Sequence, residues 1–202
     1  MKQIVLASNN KGKLAELQAM FAPLGLQLIA QAELNIPEAE EPFHTFVENA
    51  LAKARHASRI SGLPALADDA GLCVDAFNGL PGVQTAFYCT QFGYEKSDDN
   101  NRRALLEQMQ NTSNRRVALV STLVALRHAD DPEPLIASGR AVGEITRELR
   151  GDKGFGFDPV MFIPELGKTF AELPVADKNA RSHRGQAARA MLALIRERWL
   201  AP

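Results

Sequence analysis

Two adjacent carboxylates, Asp68-Asp69, close the short apolar run Leu63-Pro64-Ala65-Leu66-Ala67, and a second acidic pair, Glu40-Glu41, lies in a proline-bearing loop upstream. Hard oxygen donors of this kind suit Mg²⁺, which also keeps waters and takes ligands from substrate phosphates. Neighbouring residues of a strand project to opposite faces. One aspartate is therefore expected to reach the metal or an attacking water while the other anchors the loop, and Asp69 is the expected reacting member. Paired carboxylates on a surface are also common without any such role. Ser8-Asn9-Asn10-Lys11-Gly12-Lys13 brings a hydroxyl, two amides and two ammoniums to the start of a helix, where free N–H groups and the dipole favour an anion. Phosphate binding and a plain N-cap with solvated lysines both account for this motif, which is not a Walker A pattern.

Three further groups bear on chemistry. Lys53 stands with Asn49 and His56 on the polar face of a helix, an ordinary solvated position unless that face lines a site. Gly154-Phe155-Gly156-Phe157-Asp158-Pro159 alternates permissive glycines with rings, which suits a loop that lays an aromatic against a planar base and offers backbone groups to its edge. A structural hydrophobic loop is the competing reading, and Asp158 serves either to accept a ring N–H or to cap the turn. Lys178 and Ser182-His183-Arg184-Gly185-Gln186 place two or three donors within two helical turns, as recognition of an oxygen-bearing base edge requires, or as a solvated helix start provides. No Ser-His-Asp or Cys-His arrangement emerges, and His128 falls in an exposed turn.

Residues 3–7 read as a buried strand, followed by a polar turn and a helix with Leu14, Leu17, Phe21 and Leu24 on one face. Residues 26–30 read as a second strand and the acidic stretch 36–42 as loop. Thr45 and Glu48 have capping-box spacing ahead of a helix whose apolar stripe is Val47, Ala50, Leu51, Ala54 and Ala57. The strand at 63–67 is expected to end at Asp68-Asp69, putting both carboxylates at a strand's C-terminal edge, where open α/β sheets bind ligands. A helix is expected over 98–110, a strand covered on both faces over 116–126, and, after the Asp130-Asp131-Pro132 turn, an antiparallel partner over about 135–147. Residues 160–163 read as a short strand. A terminal helix turns Ala187, Met191, Leu194, Ile195 and Trp199 inward.

At 202 residues, 46% hydrophobic and 23% charged, the chain reads as one globular domain, 1–202, in two lobes, large enough to need no disulfide or structural metal. A net charge of −1 draws it to neither nucleic acid nor membrane, so a polyanionic ligand needs a locally focused pocket. Cys73 and Cys89 lack metal or redox spacing and are expected as small buried thiols. Without a signal-like leader or a membrane-length apolar run, the expected location is the cytoplasm.

The ordered set SNNKGK, EE, FVENALAKA, ADDAGL, LPGV, GFGFDPV, GKTFAEL and SHRGQA resembles the inosine triphosphate pyrophosphatase family in its bacterial form, across essentially the whole chain. The resemblance implies an α/β fold with an elongated mixed central sheet flanked by helices, two lobes with a cleft between them, and a homodimer. It implies Mg²⁺-dependent hydrolysis of non-canonical purine triphosphates (dITP, ITP, XTP) to monophosphate and pyrophosphate. Carried over by position, Ser8, Asn9, Asn10, Lys11, Gly12 and Lys13 resemble the triphosphate-binding segment and Lys53 a phosphate contact. Asp69 resembles the proton acceptor and metal ligand, and Glu41, or its neighbour Glu40, the partner metal carboxylate. Phe155, Gly156, Phe157, Asp158, Lys178, His183 and Arg184 resemble the base-reading set. Three positions depart: Ala70 stands where serine is usual, leaving only its backbone to meet substrate; Phe87 replaces an arginine; Phe157 replaces a tyrosine. These departures keep a rival in view, a purine nucleotide-binding or sensing module without turnover, and a pyrophosphatase for modified pyrimidines is a third reading.

Overall fold

Ile4 and Leu6 are buried against one set of helices and Val5 and Ala7 against another, so the first strand, β1 (Gln3–Leu6), is covered on both faces. An unbroken apolar run is what such an interior strand needs. The computed structural model describes residues 3–201. β1 pairs in parallel with β2 (Gln27–Ala30) and with β3 (Ala65–Val74). Among the described residues the sheet has seven strands in the order β2-β1-β3-β4-β5-β6-β7, with β4 at Arg116–Leu126, β5 at Leu135–Ile145, β6 at Met161–Ile163 and β7 at Lys168–Thr169. β5 to β6 and β6 to β7 are antiparallel, so the sheet is mixed. Ile145 N donates to Arg115 O, and the Thr122 and Ser138 hydroxyls bond to each other, the register of the expected β4–β5 hairpin.

Two compact units are built on these strands. One runs up to Asp69 and includes Ser121–Gly139 and the chain from His183 onward. Here α1 (Lys11–Phe21) and α5 (His183–Ile195) cover one sheet face with Leu17, Phe21, Ala187 and Met191 against Ile4, Leu66 and Leu123. On the other face α2 (Phe46–Ser61) sets Ala50, Ala54 and Ala57 against Ala65, Ala67 and Val124. Gly139 is needed for that arrangement: a Cβ there would stand 2.0 Å from His183 O and 2.6 Å from Ala187 N, so only glycine lets the start of α5 lie directly on β5. The second unit comprises Ala70–Val120 and Arg140–Ser182. Its core joins Leu72 and Val74 of β3, Leu105 of α3 (Asp98–Gln108), Val117, Ile145 and Phe170. Tyr88 and Cys89 enter it from a long 3₁₀ segment, Gly82–Phe92, which the apolar pattern did not foretell.

Several expectations are corrected. β3 does not stop at Asp68-Asp69 but continues through them to Val74; it is β1 that ends, at Leu6, and leaves the aspartates beside its turn. Local pattern misled because two buried, ion-paired carboxylates can sit inside a strand. Val47 faces solvent, Cys89 is buried but Cys73 only half so, and the Glu48 carboxylate bonds the Thr45 hydroxyl while that oxygen caps Glu48 N. The donors of 178–186 are divided between two helices, α4 (Val175–Arg181) and α5, because Ser182 is extended (φ −64°, ψ 156°).

Candidate active site

Side-chain alternation along β3 decides where the two aspartates go. Leu66 faces α1 and α5, so Asp68, two residues on, faces them too; Ala65 and Ala67 face α2, and so does Asp69. Asp68 is wholly buried and meets three donors: Ser121 Oγ at 2.7 Å, Arg184 Nε at 2.9 Å and Lys13 Nζ at 3.2 Å. Burial alone would raise its pKa, but Lys13, Arg184 and Ser121 outweigh burial and hold the carboxyl far below the usual carboxylate range. Arg184 also donates to Glu16 Oε2 at 2.7 Å, so α1 supplies both Lys13 and Glu16 to one buried network. Burial depresses the Lys13 ammonium below its ordinary value, with Asp68 opposing the fall and Arg184 and Lys53 adding to it. Asp68 therefore acts as the counterion that keeps two cations in place.

The start of α1 is held by a capped turn. Asn10 is its N-cap, accepting from Lys13 N at 3.0 Å; Ser8 Oγ accepts from Asn10 N at 3.2 Å, and Asn9 Nδ2 donates to Glu38 at 3.1 Å. Lys11 is exposed and Gly12 half-buried.

On the opposite face of β3, Lys53 Nζ stands 2.8 Å from Asp69 Oδ1 and 2.8 Å from Glu41 Oε2. Of the adjacent glutamates it is Glu41 that reaches this point. Burial lowers the Lys53 pKa, but Asp69 and Glu41 reverse the effect and leave it raised. Burial also raises the Asp69 carboxyl, and Lys53 only partly offsets it. Asp69 Oδ2 is buried and has no hydrogen-bond partner among the described residues. An orphaned buried carboxylate oxygen is costly unless something binds it. Two carboxylates with one open oxygen fit a hard divalent ion that completes its shell from phosphates and water. No cluster of three or more ligating side chains exists among the described residues, and such an ion does not need one.

A second set lies in the other unit. Asp158 is buried; its Oδ2 accepts Lys178 Nζ at 2.6 Å and the Phe155 N–H at 2.9 Å, and Lys178 Nζ lies 4.7 Å from the Phe155 ring centroid. Ring, ammonium and carboxylate thus form one assembly. Lys178 belongs to α4 in this unit, whereas His183 and Arg184 open α5 in the first, so the structure does not bring the expected base-reading residues together within one unit.

A family model described as the Ham1 family matches residues 4–194. The chain belongs to the Ham1 family. It is 78% identical over 198 residues to a dITP/XTP pyrophosphatase of Albidiferax ferrireducens, covering 98% of this chain and 100% of that one. The corresponding protein of Paracidovorax citrulli is 74% identical, covering 98% and 99%. Among solved structures, a HAM1 protein from Coxiella burnetii is 43% identical with a TM-score of 0.89, covering 98% and 100%. In this Ham1 chain Ala70 follows Asp69 on β3 and is half-buried, Phe157 is buried in the core of its unit, and the exposed Phe87 ring has the Lys96 ammonium 3.8 Å from its centroid. Residues the sequence reasoning missed are Glu16, Ser121, Asp98 and Arg102. Glu16 had a signal, three residues from Lys13 on the same helix face. So had Ser121, which with Thr122 interrupts the apolar run of β4.

Proposed function

We propose that this protein hydrolyses non-canonical purine nucleoside triphosphates, dITP, ITP and XTP, to the monophosphate and pyrophosphate, keeping deaminated purines out of the nucleotide pool. The observation that carries the proposal is Asp69: a buried carboxylate with one oxygen on Lys53 and the other without a hydrogen-bond partner among the described residues. The names of the close relatives support the substrate class. Asp69 orients a water against the α-phosphorus and accepts its proton as the new P–O bond forms and the bond to the departing pyrophosphate breaks. Lys13, Lys53 and the Ser8–Gly12 turn hold the triphosphate, and Asp68 and Arg184 fix Lys13 for that task. Glu41 and Asp69 would hold Mg²⁺, which when bound neutralises phosphate charge. Positioning and electrostatics supply nearly all of the catalysis in such reactions.

The Phe155 ring stacks on the purine, and the Lys178 ammonium faces its C6 oxygen. Adenine would present an amino group to that donor, and a site built to pair with an oxygen rejects such an analogue by roughly 10⁴–10⁵. The protein acts as one two-lobed domain over 1–202, as a cytoplasmic homodimer; no helix among the described residues is long and apolar enough to cross a membrane.

The test is pyrophosphate release from dITP, ITP, XTP, dATP, dGTP and modified pyrimidine triphosphates, with and without Mg²⁺. Asp69→Asn is expected to abolish release while preserving fold and dITP binding. Full activity in a folded Asp69→Asn protein would refute the mechanism. Tight dITP binding without release by the wild type would favour the sensing module, and preference for pyrimidines would replace the substrate class.

A further inference from the structure

Both backbone polar groups of Gly156 are taken by one helix. Asp98 Oδ2 accepts its N–H at 2.9 Å, and Arg102 Nη1 donates to its carbonyl at 2.5 Å. Asp98 and Arg102 are four residues apart on α3 and so share a face, one turn from the other. Asp98 lies in the helix's first turn, where free N–H groups and the dipole favour a carboxylate. Arg102 pairs with Asp99 as well, and its side chain is only 13% exposed. Its Nε is buried and has no hydrogen-bond partner among the described residues, so the guanidinium is held in this position at some cost.

No neighbour crowds the side-chain position of Gly156: a Cβ built on it would meet nothing within 4 Å, and its φ of +59° is one that glycine leaves freely. The directed restraints on this half-buried residue are the two hydrogen bonds from α3. Next to it, Phe155 gives its N–H to Asp158 Oδ2 and receives Asp158 N on its carbonyl. The N–H groups of Phe155 and Gly156 are thus both engaged within the protein, and each of their carbonyls already accepts one hydrogen bond there. Selection is left to the ring and to the Asp158–Lys178 pair, whose positions depend on where the loop is held.

We propose that Asp98 and Arg102 are the positioning residues of the purine-recognition loop: their two-point hold on Gly156 places the Phe155 ring and thereby sets which purine is accepted. The proposal rests on the assignment of that loop to the base. Neither residue belongs to the unit that carries Lys13, Lys53 and Asp69, so their loss is expected to act on KM and on discrimination rather than on kcat.

Purified full-length Arg102→Met, Arg102→Lys and Asp98→Ala are compared with wild type for pyrophosphate release from dITP and dATP. Arg102→Met is expected to raise the dITP KM about ten-fold, leave kcat within about two-fold, and narrow the dITP:dATP ratio of kcat/KM. Arg102→Lys, which keeps a donor, should recover most of both. Amide exchange in the peptide containing Gly156 should quicken in Arg102→Met and Asp98→Ala. Unchanged KM and ratio in a folded Arg102→Met protein, or a fall in kcat alone, overturns the proposal. Should Arg102→Met not fold, Asp98→Ala decides in the same way. Phe155→Ala and Lys178→Ala separate the two layers. If they leave KM and discrimination unchanged, the base assignment fails; if they change them while the α3 variants do not, only the hold by α3 fails.

Discussion

Replacing Asp68 with asparagine should destabilise this protein more than any comparable polar change elsewhere in it. The side chain keeps its shape and can still accept from Ser121, but Lys13 and Arg184 lose their shared anion, while Glu16 stays beside Arg184. Removing one member of a buried ion pair costs roughly 3–5 kcal/mol, because the remaining charge is left uncompensated. Against a total stability of roughly 5–15 kcal/mol that is a large fraction. At roughly 2–4 °C per kcal/mol for a chain of this size, it corresponds to a fall in Tm of about 6–20 °C. Urea unfolding followed by circular dichroism at pH 7 measures it directly. The pH dependence has a definite sign. The folded-state pKa of Asp68 is depressed, so its contribution is complete above the ordinary aspartate value and is lost as pH falls toward the folded value. The gap between wild type and Asp68→Asn should therefore shrink below about pH 4. Adding Arg184→Met to Asp68→Asn should cost less than the two single changes together, since it removes the stranded cation. A loss under about 1 kcal/mol at pH 7, the range of a solvent-exposed pair, would refute the reasoning.

Gly139→Ala should lower stability by about 1–3 kcal/mol or more, because its Cβ meets backbone atoms of α5 that no rotamer change can move; an unchanged thermal melt would contradict this. Lys53→Met should reduce kcat/KM for dITP by roughly 10²–10³, since it removes the only cation that bridges Asp69 and Glu41 among the described residues, and retention of wild-type turnover would remove Lys53 from the proposed machinery.

Short-range chemistry made much of the fold legible. Asn10 and Thr45 cap the helices they precede, β4 spans 116–126 as its apolar run requires, and the opposed directions of Asp68 and Asp69 follow from strand geometry alone. What stayed hidden depends on partners distant in the chain. Nothing near Asp68 announces that Arg184, 116 residues away, will neutralise it, and without that partner a pair of carboxylates argues for ending a strand. Ser182 breaks the 178–186 run into two helices through one extended residue with no proline or glycine to mark it. Gly156 reads as a flexible loop glycine, yet its freedom is removed by Asp98 and Arg102 more than fifty residues upstream.

Because β3 outlasts β1, Asp68 and Asp69 lie just beyond the Leu6–Leu66 pair, and Ala7 N donates to Leu66 O as the chain leaves β1 toward the start of α1. Asp68 binds that helix start through Lys13, and Asp69 binds α2 through Lys53. One dipeptide thus ties both layers of helices to the sheet, and the cations it draws in are the ones the proposed function assigns to the triphosphate. In that proposal stability and anion recognition share the same charges, so Asp68 cannot be exchanged for an apolar residue without also releasing Lys13 from its place.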